Sequence, residues 1–116
     1  MALAYLAGAL PSRPRWIALA SSGEVVGQYL GKNDGERIQA IVTATSPLCL
    51  WLVSDAAGGP ARVTVNVGED GAWLMLPLDE TYCVYVAVNK VRSLDAFVFA
   101  AREGLLPLLD ILRVNG

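Results

Sequence analysis

Apolar and polar positions along the chain change their period several times, and each change marks an element. Residues 2–10 are rich in alanine and leucine and predict a short helix, ended by Pro11 and Pro14 on either side of Ser12 and Arg13. Trp16, Ile17, Ala18, Leu19 and Ala20 are apolar without interruption, which predicts a strand covered on both faces. Ser21 to Glu24 reads as a tight turn, and 25–30 as the returning strand of a hairpin. The segment 31–35 then breaks the pattern.

Asp34 is placed to cap a helix that begins at Gly35 or Glu36, since its carboxylate accepts bonds from free amide donors. In that helix Ile38, Ile41, Val42, Thr45, Cys49, Leu52 and Val53 recur at helical spacing on one face. Ala40, Ala44, Pro47 and Trp51 fall on another side. An isolated domain wastes that second surface, whereas a dimer uses it. Pro47 removes a backbone bond and predicts a kink, or a helix in two pieces. Residues 55–60, with Gly58, Gly59 and Pro60, end it.

The second half opens on a clean alternation over 62–67, with Val63, Val65 and Val67 expected inward and Arg62, Thr64 and Asn66 outward. Turn signals at 68–71 and 77–80 separate two further strands, 72–76 and 81–88, giving a three-strand meander. Ser93 is a good cap for a last helix, with Asp95 favourably placed in its first turn. Leu94, Phe97, Val98, Ala101, Leu105, Leu108 and Leu112 form its buried stripe, and Gly104 with Pro107 predicts a bend or break midway. The expected fold is α/β: a central five-stranded antiparallel sheet flanked by helices, in the order α-β-β-α-β-β-β-α, as one domain over 1–116.

Composition narrows the function. Of 116 residues 54% are hydrophobic and 17% charged, against roughly 25% charged in a typical soluble domain, so a packed core is expected and disorder is not. The apolar excess fits a subunit that buries a second face against another chain. Nine Lys and Arg against eleven Asp and Glu give a net charge of −2, and the basic residues are scattered from Arg13 to Arg113. No run matches a row of phosphates, so no nucleic-acid partner is expected. Cys49 and Cys83 lack metal or redox spacing and have apolar neighbours, which reads as buried small hydrophobes in a reducing setting. The apolar stretch 47–53 is far short of a bilayer span, and no charged leader with a cleavage site is seen, so a cytoplasmic location without direct membrane insertion is expected.

The absence of histidine excludes a serine–histidine triad, a histidine base and the common histidine-containing metal sites. Asp34, Asp55, Glu69, Asp70, Asp79 and Glu80 lie mostly in turns or at helix ends, where they serve turn geometry. The run from Gly23 to Asn33 fails as a phosphate loop: Val26 stands where the first glycine belongs, and Asn33 where a hydroxyl is needed. No catalytic residue, metal or cofactor is expected. Trp51 reads instead as an anchor in an interface or as a core residue, and Trp73, Tyr82 and Tyr85 as sheet packing. If the strand carrying Arg62, Thr64 and Asn66 is an edge, its unpaired backbone groups can join another chain.

Three stretches carry a resemblance: Trp16 to Gly27, the helix from Glu36, and Val63 to Leu78 followed by Tyr82 to Val88 and the terminal helix. In order, length and hydrophobic texture they resemble the roadblock/LC7 family, with a profilin-like or longin-like domain as the alternative. The resemblance implies a dimer whose central helices lie together and whose third strands pair into a continuous sheet. Carried here, it makes Ala40, Ala44, Trp51, Arg62, Thr64 and Asn66 the candidate interface. It further implies a non-enzymatic adaptor or regulatory subunit, homodimeric or paired with a similar domain, that binds a small GTPase or scaffolds a multiprotein complex and is recruited peripherally to membranes by its partners. The alternative implies a protein-binding module in trafficking or cytoskeletal assembly.

Overall fold

A computed structural model of the chain describes residues 2–54, 64–69, 71–78, 81–89 and 94–115. Its elements follow the predicted order: α1 (Ala2–Ala9), β1 (Trp16–Ser21), β2 (Glu24–Leu30), α2 (Gly35–Ser54), β3 (Thr64–Val67), β4 (Gly71–Pro77), β5 (Tyr82–Asn89) and α3 (Leu94–Asn115). The strands form one antiparallel sheet in the order β2-β1-β5-β4-β3. β1 and β5 therefore lie inside the sheet, and β2 and β3 form its edges.

The uninterrupted apolar run of β1 has the predicted cause: alternate residues enter two different cores. Ile17 and Leu19 join Leu74, Leu76, Val84 and Val86 beneath α1 and α3. Trp16, Ala18 and Ala20 join Met75, Cys83, Tyr85 and Ala87 beneath α2. Cys83 is a buried free thiol, used as a small hydrophobe. The β1–β2 hairpin closes through Ser22 and Gly23, both at positive φ (53° and 82°), the twist that lets a two-residue turn follow the strands.

α2 starts directly after Asp34, whose backbone carbonyl accepts the first helical bond from the Ile38 N–H at 2.9 Å; the expected cap by its carboxylate is not among the hydrogen bonds of the described residues. Two polar contacts then hold α2 over the sheet. Gln39 bridges to the hairpin: its Oε1 accepts from the Val25 N–H at 3.1 Å and its Nε2 donates to the Gly23 carbonyl at 2.9 Å. One turn and a half later Thr45 meets the sheet. Its hydroxyl donates to the Ile41 carbonyl at 2.7 Å, so the Tyr85 hydroxyl, 2.6 Å away, must be the donor to Thr45. Tyr85 is otherwise fully buried and packs beside Trp73, with ring centroids 6.1 Å apart.

Three expectations need correction. Pro47 does not divide α2, which runs unbroken from Gly35 to Ser54; the turns before it are already fixed by Ile38, Val42, Gln39 and Thr45, so the loss of one backbone bond does not end the helix. α3 likewise runs unbroken through Gly104 and Pro107. Gly104 serves packing: a Cβ there would stand 2.7 Å from Leu6 Cδ1 and 3.5 Å from the Ala9 Cβ, so the missing side chain lets α1 seat against α3. Third, Val65 and Val67 are not buried. They pair with Leu74 and Ala72, on the α1/α3 side of the sheet, but are 36% and 71% exposed at this edge strand. Val63, the helix end at 55–60 and the Ser93 cap lie outside the described residues.

Two measurements follow from this packing. Gly104→Ala should lower stability by about 1–3 kcal/mol through overpacking against Leu6. Gly8→Ala, which meets nothing within 4 Å, should instead raise it by a few tenths of a kcal/mol to about 1. Urea unfolding of both variants shows whether the signs differ. Tyr85→Phe should cost about 0.5–1.5 kcal/mol, the net worth of one hydrogen bond, because Thr45 keeps its bond to Ile41. A loss below about 0.3 kcal/mol would show that this contact does not anchor α2.

Candidate protein-interaction surface

The chemistry that builds an active site is sparse here. Among the described residues no group of three or more His, Cys, Asp or Glu side chains is placed to hold a metal ion, and none of their helices is long and apolar enough to cross a membrane. What the geometry offers is surface, and two parts of it stand out.

The first is the β3 edge. It is short, four residues, and its outer side pairs with no strand among the described residues. Val67 and Val65 are exposed apolar side chains on its α1/α3 face, while Asn66, opposite Trp73, lies exposed on the α2 face. The opposite edge is different. β2 carries a bulge that leaves Val26 without a partner between Gly27 and Val25, and it ends in Leu30 and Gly31, both at positive φ. A bulge and a kinked end discourage strand addition; among the described residues β3 shows neither.

The second is the outer face of α2. Ile38 and Val42 are buried against the sheet, and Ala40 and Ala44, one turn apart, are exposed on the other side. Small side chains there leave the helix backbone open to close approach by another element. Ala40, Ala44 and Asn66 thus occupy the same side of the sheet. Thr64 lies in β3 opposite Met75. Trp51 lies within the α2 span, but its side chain, and Arg62 altogether, fall outside the described residues.

Sequence reasoning missed the two exposed valines. Alternation over 62–67 assigns Val65 and Val67 correctly to one face, but it carries no information on how far a helix layer extends over that face. It also missed a groove on the α2 side. This groove has a volume of about 450 Å³ and lies between the first half of α2 and the β3–β4 end of the sheet, with Arg15, Arg37 and Trp73 in its lining.

No protein-family model matches the chain, and no curated protein matches it. Solved structures do. The roadblock/LC7 domain from Streptomyces avermitilis superposes with a TM-score of 0.69 at 16% identity, covering 97% of this chain and 92% of that one. The gliding protein MglB from Thermus thermophilus gives 0.69 at 13% identity, covering 95% and 87%. MglB of Myxococcus xanthus gives 0.67 at 12% identity, covering 87% and 85%. Identities this low speak for the course of the backbone alone, and together with the element order and strand order above they establish that this chain has the roadblock/LC7 fold.

Proposed function

We propose that this chain is a non-enzymatic adaptor or regulatory subunit that pairs with a second copy through α2 and β3. As a dimer it presents a rigid surface that binds a small GTPase or scaffolds a multiprotein complex. The observation that carries the reading is the β3 edge: an unblunted strand whose end residue, Val67, is an apolar side chain 71% exposed. Antiparallel addition of a second β3 satisfies the outer backbone groups and removes the valines from water.

The magnitudes say that β3 does not act alone. Fully burying a valine is worth roughly 1.5–3 kcal/mol, less when it is already part-covered. Four valines across a symmetric pair compare poorly with the ~4–15 kcal/mol that association costs in lost freedom. The α2 faces must add to it, with Ala40 and Ala44 permitting close approach and Trp51 supplying an aromatic anchor. The interface then comprises Ala40, Ala44, Trp51, Arg62, Thr64 and Asn66, extended by Val65 and Val67. A cytoplasmic setting, with recruitment to membranes only through partners, belongs to the same proposal.

Val67→Lys puts a charge on the edge, and Trp51→Asp buries one without a partner; each should convert the dimer to a folded monomer. Sedimentation velocity with circular dichroism reads both quantities. If both folded variants sediment as the wild-type dimer does, the interface is elsewhere. For the partner, tagged protein is recovered from native lysate loaded with GDP or with a nonhydrolysable GTP analogue. A stoichiometric small GTPase whose recovery depends on the nucleotide is the expected result; its absence under both conditions counts against the GTPase half of the reading.

A further inference from the structure

We propose that the outward face of α3 is a further contact surface for a second copy of this chain. The two α3 helices lie antiparallel, Phe99 beside Phe99, with Asp95 of each copy against Arg102 of the other. This contact does not require the pairing through α2 and β3, and does not compete with it, because α3 and α2 cover opposite faces of the sheet.

Phe99 departs from the pattern of a helix seated on a sheet. Phe97, Ala101, Gly104 and Leu105 are buried, whereas Phe99, on the other side of the helix, is 65% exposed. Its neighbours Asp95, Ala96, Arg102 and Glu103 are all exposed too. A single apolar side chain at a surface is ordinary, so the ring alone carries no argument. The arrangement of charge around it does.

At 3.6 residues per turn, Asp95 and Arg102 fall about 40° and 60° to one side of Phe99, and Glu103 about 40° to the other. The Glu103 side is the one on which Gly104 meets Leu6 of α1. Along the axis, the midpoint of Asp95 and Arg102 lies half a residue from Phe99, a shift of about 1 Å. A two-fold axis through that midpoint turns a second α3 antiparallel and sets like flanks together. Asp95 then meets Arg102 of the other copy at both ends of the contact, and the two rings lie side by side. Glu103 stays on the far flank, away from the other copy's Asp95. A parallel pair would set Asp95 against Asp95 and Arg102 against Arg102. The charges therefore select one orientation, and it is a self-complementary one.

Neither charge has an opposite partner within α3. The residues three and four positions from Arg102 are Val98, Phe99, Leu105 and Leu106, and those after Asp95 are Val98 and Phe99. The contact is short, about 10 Å of helix between Asp95 and Arg102. That is small beside the ~800 Å² per partner of a stable interface, so the association is weak, reversible and sensitive to salt.

The test is sedimentation velocity over a concentration series, with the fold followed by circular dichroism, on the unmodified chain and on Val67→Lys. In Val67→Lys the step is from monomer to dimer; in the unmodified chain it adds to the pairing at β3. Failure of one contact is thus read apart from failure of the other. Phe99→Glu should weaken the step roughly tenfold or more, by placing a charge where the rings meet. Asp95→Arg and Arg102→Asp should each weaken self-association by roughly tenfold, since each sets like charges across both contacts. Mixed one to one, these two variants should associate again, to within about threefold of the parent, because each supplies the charge the other lacks. That mixture decides the matter even if Phe99→Glu does not fold. Arg92→Ala, three residues before Asp95 and ahead of α3, should change little. A sedimentation coefficient independent of concentration in both parents, a mixture no more associated than its components, or loss of the step in Arg92→Ala would overturn the proposal.

Discussion

The sheet must be dry on both faces at β1 and β5, and the helices available to cover it decide where that condition fails. Ile17, Leu19, Val84 and Val86 on one face, and Ala18, Ala20, Cys83 and Tyr85 on the other, are buried at once. α1 and α3 together cover the first face, while α2 covers the second. Burial is complete over the middle of the sheet and falls off at the β3 edge, where Val65 and Val67 are exposed on one face and a groove lies beside Trp73 on the other. An exposed apolar edge of this kind is either a binding surface or an aggregation hazard.

The polar contacts of α2 give this shortfall a defined shape. Gln39 fixes the helix to the β1–β2 hairpin, and Tyr85 donates to Thr45 from the middle of the sheet. Held at both points, α2 presents Ala40 and Ala44 outward, one turn apart. The same anchoring places Arg37 and Ile41 at the groove. Contacts that hold the helix thus also define what remains uncovered.

Much of the fold was legible in the sequence. The two-faced burial of β1 followed from five consecutive apolar residues, the hairpin from Ser22 and Gly23, and the α2 start from Asp34. The breaks expected at Pro47 and Gly104 did not occur, because local propensity was outweighed by packing that the sequence does not display, above all the seat of Leu6 against Gly104. The exposed surface was only partly legible. Ala40 and Ala44 were placed off the buried stripe of α2 because helical periodicity separates two faces of one element. Val65 and Val67 were assigned inward because alternation distinguishes faces but not the reach of the helices above them. Arg15 and Arg37 were invisible as a pair, since only the third dimension brings residues from before β1 and from α2 to one groove.

The most direct test of a second copy at β3 is amide hydrogen exchange of the unmodified protein across a range of concentrations. Pairing predicts that the backbone amides of Thr64–Val67 gain protection as concentration rises, while those of the β2 edge, Glu24–Leu30, do not change. Exchange at β3 that is independent of concentration in a protein shown to be associated, or protection that grows at β2 instead, would contradict β3 as the pairing edge.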